Sequence, residues 1–350
     1  MKLKKIREIP LDKFINLSLY DKKIGYYIKK NPFGKTGDFI TSPNISRLFS
    51  EMIAIWIISF WQSLGSPKKF NLIELGAGNG EMMKVFIESF QNFPTFLNSC
   101  DFIIHEKSSK LIKIQKKKLS KYKITWVSKI STIKKKPSIF VANEFFDAIA
   151  IKQFVKRKNV WFEKFIKLEN QKKASFFEKK INIKKIEKKI HFKISKNQTF
   201  IECSELAFSY IKEISKIIKK YSGGLLLIDY GYNEKKMKNT LQAISKHKFS
   251  NILDNIGNAD ITHNINFDLY KRFIHQIGGL ENMLTTQKDF LIKLGIYERA
   301  EIISKNQNFL KKADIYYRIK RLTDEKQMGE LFKVMFIKNK KNKFNVGFKN

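Results

Sequence analysis

Residues 72–81, Leu-Ile-Glu-Leu-Gly-Ala-Gly-Asn-Gly-Glu, narrow the fold more than any other stretch of the chain. The apolar start reads as a buried strand, the glycines as a tight turn, and Glu81 onward as a helix, which is the opening of a β-α-β unit. Gly76, Gly78 and Gly80 follow the spacing G-x-G-x-G, not the G-x-G-x-x-G of dinucleotide sites, and Glu74 stands two places before the first of them. Glycine lets the backbone approach a ligand with no Cβ between them, and a carboxylate at the strand end can meet an ammonium group. The combination favours S-adenosylmethionine over NAD; a tight turn that binds nothing has the same spacing.

The next apolar run, Ser99 to Glu106, ends in a carboxylate. It falls where the second strand of a Rossmann-like unit belongs, so Glu106 is expected to accept from ribose hydroxyls. The alternative is a glutamate at a helix start, since Ser108 and Ser109 precede a helical pattern through Leu111-Ile112-Lys113-Ile114-Gln115.

Strand and helix alternate from Phe70 to Ile151, with strands expected at 70–75, 101–105, 123–127 and 138–142 and helices at 80–90 and 108–119. A further buried strand, Gly224 to Tyr230, follows a helix over 205–219. This predicts an α/β, doubly wound, mostly parallel sheet. Residues 1–65 read as an N-terminal cap, helical at both ends with an irregular loop from Gly25 to Pro43. Residues 66–350 read as the main domain. Lysine-rich short strands at 151–155, 160–168, 192–194 and 199–203 suggest an antiparallel insertion at about 151–203. Helices at 267–277, 286–294, 297–305 and 308–320 and a last strand at 331–337 are C-terminal additions. There is no internal repeat, and no linker long enough to separate independent domains.

The chain of 350 residues carries 69 basic and 32 acidic residues, a net charge of +37, and 43% hydrophobic residues, enough for a sizeable core. Such a charge ordinarily suggests nucleic acid or an acidic membrane. Here lysine far outnumbers arginine and is spread through nearly every segment, alongside abundant isoleucine and asparagine, as codon bias toward A and T produces. The dense runs Lys113–Lys121 and Lys179–Lys189 fit solvated helix or hairpin faces. No nucleic-acid partner is therefore expected. Cys100 and Cys203 form no C-x-x-C pair, so neither a zinc site nor a disulfide framework is indicated. The longest apolar run, Met52 to Trp61, is too short to cross a bilayer, and no signal or transit pattern opens the chain. A cytoplasmic protein without membrane insertion is expected, or one of the mitochondrial matrix if the source is eukaryotic.

Several segments carry a family resemblance: Gly25-Tyr26-Tyr27, Gly37-Asp38-Phe39-Ile40-Thr41-Ser42-Pro43, the turn at 74–80, Ala142-Asn143-Glu144-Phe145-Phe146-Asp147-Ala148, Ile228-Asp229-Tyr230-Gly231 and Ala259-Asp260-Ile261-Thr262. Together with Phe290-Leu291, Leu294-Gly295-Ile296 and Met328-Gly329 they span nearly the whole chain, which resembles the MidA-like methyltransferases. The segments at 37–43 and 142–148 are far more specific than the glycine turn. The resemblance implies a class I fold, S-adenosylmethionine as cofactor, and methylation of an arginine on a core subunit of respiratory complex I in aid of its assembly. This chain departs from the family at Asn44, Arg47, Ser50, Ala150, Ile252 and Ile256, and has His263 beside the position, Asn264, where some bacterial relatives carry histidine.

Methyl transfer from a sulfonium is an in-line displacement that requires positioning in a dry pocket rather than a covalent catalyst. An arginine acceptor is protonated near neutral pH, so a carboxylate must hold its guanidinium by charge-assisted hydrogen bonds. Glu144 and Asp147 leave the C-terminal end of a parallel strand, where doubly wound sheets bind ligands, and are the expected clamp. Asn143 joins Glu74, Gly76, Gly78, Gly80 and Glu106 as cofactor-contacting residues; Asn143 and Asp147 also suit helix or turn caps. Asp38 is expected on a lid over the site, with an Asx-turn as its alternative. Asp229 and Tyr230 can line the acceptor pocket, and His247 matches a family histidine. The competing functions are an RNA or DNA methyltransferase, which the charge suggests but no amino-methylation tetrad or catalytic cysteine supports, and a non-catalytic assembly factor retaining the fold.

Overall fold

The computed structural model describes residues 7–29, 41–168, 174–245, 248–254 and 256–348. The chain forms two compact units, one from segments 1–39, 146–211 and 232–276, the other from 40–145, 212–231 and 277–350.

The second unit is built on a seven-stranded path. From one edge it runs Leu280–Thr286, Phe332–Asn339, Gly223–Tyr232, Ser138–Asn143, Phe70–Leu75, Cys100–His105 and Ile124–Val127. The five strands from Gly223–Tyr232 to Ile124–Val127 are parallel, and Phe332–Asn339 and Leu280–Thr286 add antiparallel pairs. Every residue of Phe70–Leu75 and Ser138–Asn143 is buried, as expected for central parallel strands covered on both faces. The strand order reverses between these two, because Phe70–Leu75 is followed by a step to one side and Ser138–Asn143 lies on the other. Both C-terminal ends therefore open onto a topological switch point, the usual ligand crevice of such sheets.

The helix Arg47–Ser63 buries Leu48, Phe49, Met52, Ile53, Trp56, Ile57 and Phe60, a stripe at three- and four-residue spacing. Ser46 caps it by accepting from the Leu48 N–H at 3.3 Å. Trp56 meets Phe336 edge-on at 4.8 Å, and its indole N–H donates to the Val346 carbonyl at 3.0 Å. A buried tryptophan thus keeps its one donor satisfied.

The first unit contains the expected antiparallel strands. Val160–Leu168 pairs with Ala174–Ile181 along one side and with Lys152–Arg157 and Arg7–Pro10 along the other, and Phe200–Cys203 extends the sheet from Lys152–Arg157. A smaller sheet joins Lys248–Ser250, Gln242–Ser245 and Asp260–Thr262. Leu11, Phe14, Ile15 and Leu19 of the helix Leu11–Tyr20 share a core with Tyr26, Tyr27, Ile151 and Ile261.

The segment 192–194 is not a strand. The helix Ile183–Ile190 ends at His191 in the left-handed region, Phe192 is buried against Phe208 and Phe273, and the Ile194 N–H donates to the Glu187 carboxylate at 2.9 Å. Its apolar residues are buried by ring packing and a side-chain cap, so no ladder is needed to satisfy them. The edge strand Leu280–Thr286 lacks the apolar alternation that would have announced it, since Glu281, Asn282, Thr285 and Thr286 interrupt the run. Among the described residues no helix is long and apolar enough to cross a membrane, and no group of three or more His, Cys, Asp or Glu is placed to hold a metal.

Candidate active site

The strand Phe70–Leu75 ends in a turn whose glycines all have positive φ: +69° at Gly76, +51° at Gly78 and +78° at Gly80. Residues with a Cβ enter this region only at a cost of about 1–2 kcal/mol, which explains the glycines locally. Gly76 has a second constraint, because a Cβ there would lie 2.7 Å from Cδ2 of Phe145. Its N–H donates to the His105 carbonyl at 2.9 Å, tying the turn to the neighbouring strand. Asn79 accepts from the Glu81 N–H at 3.1 Å and donates to Asn44 Oδ1 at 3.0 Å, so a side chain one place before the helix cap does the capping.

Two carboxylates flank the turn. Glu74 is 2% exposed, and its Oε2 has no hydrogen-bond partner among the described residues. Burial pushes its pKa from 4.5 to about 8, the charge of Glu106 adds to the rise, and the Met83 backbone N–H opposes it. Glu106 accepts from the N–H groups of Lys107 at 2.8 Å and Ser108 at 2.9 Å through Oε1, and from Gln115 Nε2 at 3.2 Å through Oε2. Burial nonetheless raises its pKa above the usual glutamate value. Asn143 donates to Glu144 Oε1 at 3.0 Å, while its own Oδ1 is buried without a hydrogen-bond partner among the described residues. A buried carboxylate short of partners is costly in isolation, and a ligand cation offsets that cost. These acceptors thus fit a ligand that brings an ammonium group to Glu74 and hydroxyl groups to Glu106.

Glu144 is the first residue beyond the strand Ser138–Asn143, and its φ is +50°. A non-glycine residue in this conformation stores strain of order 1–3 kcal/mol, held in place only by its surroundings. Those are specific: the Glu144 N–H donates to the Ile228 carbonyl at 2.9 Å, Oε1 accepts from the Ser42 N–H at 3.0 Å as well as from Asn143, and the Tyr230 hydroxyl donates to Oε2 at 3.4 Å. Desolvation raises the Glu144 pKa to about 7 against the pull of these donors. The carboxyl is therefore poised between its charged and neutral forms near neutral pH. Phe145, next along, meets His105 edge-on at 5.9 Å and closes over Gly76.

Glu74, Gly76, Gly78, Gly80, Glu106, Asn143 and Glu144 all belong to the second unit, whereas Asp147 belongs to the first. There Asp147 is 5% exposed, its carbonyl accepts from the His263 N–H at 3.3 Å, and its charge contributes to raising the pKa of Tyr27. The Tyr27 hydroxyl donates to Asp260 at 3.0 Å, so the Gly25-Tyr26-Tyr27 and Ala259-Asp260 segments meet. His263 is buried and held near pKa 4 by desolvation, which keeps it neutral. Asp229 is fully buried and accepts from the Tyr230 N–H at 3.0 Å. Asp38 and His247 lie outside the described residues. Three participants were not legible as such: Ser42, which acts through its backbone, Asn44, and Gln115. For Gln115 the signal was its place at four-residue spacing between Leu111 and Leu119.

A doubly wound sheet with a reversed strand order, a G-x-G-x-G turn at the switch point and acids closing its first two strands define a class I S-adenosylmethionine-dependent methyltransferase. Residues 52–284 match the family described as "Putative S-adenosyl-L-methionine-dependent methyltransferase", and the chain belongs to that family. It is 28% identical to the protein arginine methyltransferase NDUFAF7, mitochondrial, of Xenopus tropicalis, over 95% of this chain and 83% of that protein. The Homo sapiens protein of the same name is 27% identical over 95% of this chain and 80% of its own length. In fold the chain is similar to a COG1565 superfamily member and likely methyl transferase from Burkholderia thailandensis, bound to S-adenosyl-homocysteine, with a TM-score of 0.79 at 20% identity, covering 98% of this chain and 89% of that one.

Proposed function

We propose that the chain methylates the guanidinium of a protein arginine, and that this arginine lies on a subunit of respiratory complex I. The observation that carries the acceptor assignment is the Glu144 carboxylate, held at a strained strand end by Ser42, Asn143 and Tyr230. The naming of the NDUFAF7 relatives supports an arginine acceptor, and the MidA-like resemblance of the segments at 37–43 and 142–148 supports the complex I target. A cytoplasmic site of action in a bacterial source, or the matrix in a eukaryotic one, goes with that target.

S-adenosylmethionine supplies an electrophilic methyl on a sulfonium. Glu74 would receive the ammonium group, the backbone of Gly76, Gly78 and Gly80 would line the ligand, Glu106 would accept from the ribose hydroxyls, and Asn143 would add a polar contact. Glu144 accepts guanidinium N–H groups and localises positive charge away from the attacking nitrogen. Once the N–C bond has formed and the S–C bond has broken, that nitrogen would carry one proton too many, and the Glu144 carboxylate that accepts from the guanidinium is the group placed to take it. Asp147 and Asp38 are the further proposed acceptor-side carboxylates, each open to its own substitution.

The test is mass spectrometry of complex I subunits from cells with the wild-type chain, with none, and with Glu144→Gln. Arginine methylation present only with the wild type is expected. In vitro, Glu144→Gln should lower turnover by the equivalent of about 2–4 kcal/mol with cofactor affinity nearly unchanged. Equal losses in both would make Glu144 a cofactor ligand, and identical spectra from all three cell lines would sink the proposed target.

A further inference from the structure

Gln115 lies fully buried on the helix Ser109–Lys118, between Leu111 and Leu119 on the same face. Its Nε2 donates to the Gly78 carbonyl at 2.9 Å and to Glu106 Oε2 at 3.2 Å, while its Oε1 accepts from the Trp126 indole N–H at 3.0 Å. These contacts fix the amide orientation without ambiguity, because a carbonyl and a carboxylate only accept and an indole N–H only donates. One side chain therefore spans the middle of the glycine turn and the acid at the end of the second strand. The same helix backs the turn sterically, since a Cβ on Gly80 would meet Leu119 Cδ1 at 3.2 Å and Gln115 Cγ at 3.5 Å. Trp126, at the end of the strand Ile124–Val127, anchors the arrangement and has Lys116 over its ring at 5.5 Å.

We propose that Gln115, oriented by Trp126, is a positioning residue for cofactor binding: it sets Glu106 and the Gly78 peptide in one fixed relation so that ribose and turn contacts are made together. Neither glutamate nor leucine does this at the same position. Glutamate would present a second carboxylate to Glu106 and lose both donated hydrogen bonds, and leucine would take the partner from the buried Glu106 oxygen and from the part-buried Gly78 carbonyl and Trp126 N–H at once. Gln115 also helps hold Glu106 ionised, since its hydrogen bond is among those that pull against burial. The inference rests on the assignment of Glu106 to the ribose.

The test is calorimetric binding of S-adenosylhomocysteine and of its 2′,3′-dideoxy form to the full-length wild type, Gln115→Leu and Trp126→Phe. The wild type should prefer the hydroxylated ligand. Gln115→Leu should weaken S-adenosylhomocysteine binding by about ten-fold or more, by analogy with the loss of an orienting partner behind a ligand-contacting group, and should flatten the preference. Trp126→Phe keeps an aromatic ring at this half-buried position and removes the indole N–H with the five-membered ring that carries it, so it should fold and give the same change in reduced size. In the ligand-free variants, amide hydrogens of residues 76–80 should exchange faster while those of 47–63 do not change. If the wild type binds both ligands equally, the ribose role of Glu106 fails, and this inference with it. If the wild type discriminates but Trp126→Phe and Gln115→Leu match it in affinity, preference and exchange, the positioning role alone is overturned. Should Gln115→Leu not fold, Trp126→Phe decides between the same outcomes.

Discussion

Replacing Glu74 by glutamine removes a buried titration while keeping the side-chain shape, and its effect on stability should depend on pH in a defined direction. The carboxyl is 2% exposed and its pKa rises from 4.5 to about 8 on folding, through burial first and the charge of Glu106 second. A raised folded-state pKa means that the folded chain holds this proton more tightly than the unfolded chain. The associated stability is fully present below pH 4.5 and is lost as pH rises through about 8. At about 1.36 kcal/mol per pH unit, that interval corresponds to about 4–5 kcal/mol as an upper bound. Glutamine does not titrate, but its amide stands where Oε2 has no partner among the described residues, at a cost of about 1–3 kcal/mol that does not vary with pH. Urea unfolding of the ligand-free proteins at pH 5 and pH 9 cancels that constant. The variant should gain on the wild type by about 2–4 kcal/mol between the two pH values. Parallel stability curves, within about 0.5 kcal/mol, would refute a neutral buried Glu74. The same logic extends to the ligand: a cation beside Glu74 draws its pKa down, so cofactor binding near pH 7 should release a proton. Calorimetry in buffers of different ionisation enthalpy should detect it in the wild type and not in Glu74→Gln.

Gly76→Ala forces a Cβ to within 2.7 Å of Phe145 at a φ of +69°, and should destabilise the fold by about 2–3 kcal/mol and weaken cofactor binding, read by thermal melting with and without S-adenosylhomocysteine. Tyr230→Phe removes a donor to the ionised form of Glu144, whose pKa is already about 7, so the acidic limb of kcat/KM should move to higher pH, with activity recovering toward pH 9. An unmoved limb would detach Tyr230 from Glu144. Reversing the charge of Lys113 and Lys117 together, both exposed on the helix Ser109–Lys118, should leave methylation of the protein substrate within about two-fold of wild type, because exposed charges are screened and individually weak. A large loss would mark that face as a docking surface.

The sequence by itself determined the local devices. Gly76, Gly78 and Gly80 announced a turn that needs positive φ, and the mostly apolar runs at 70–75, 138–142 and 224–230 announced buried strands, because backbone sterics and burial act within a few residues. The acids Glu74 and Glu106 were legible for the same reason, each closing such a run. What only the tertiary structure decided is what those side chains meet. Glu144 finds Ser42, Asn143 and Tyr230 through contacts as distant as 102 residues along the chain, and Gln115 finds Gly78 and Trp126 across two connections. The segment 192–194 shows the same limit from the other side: its apolar residues look like a strand, and ring packing with Phe208 and Phe273 makes them a loop. Hydrogen-bond partners and burial are properties of chain crossings, and periodicity records only which residues leave water, not which neighbours receive them.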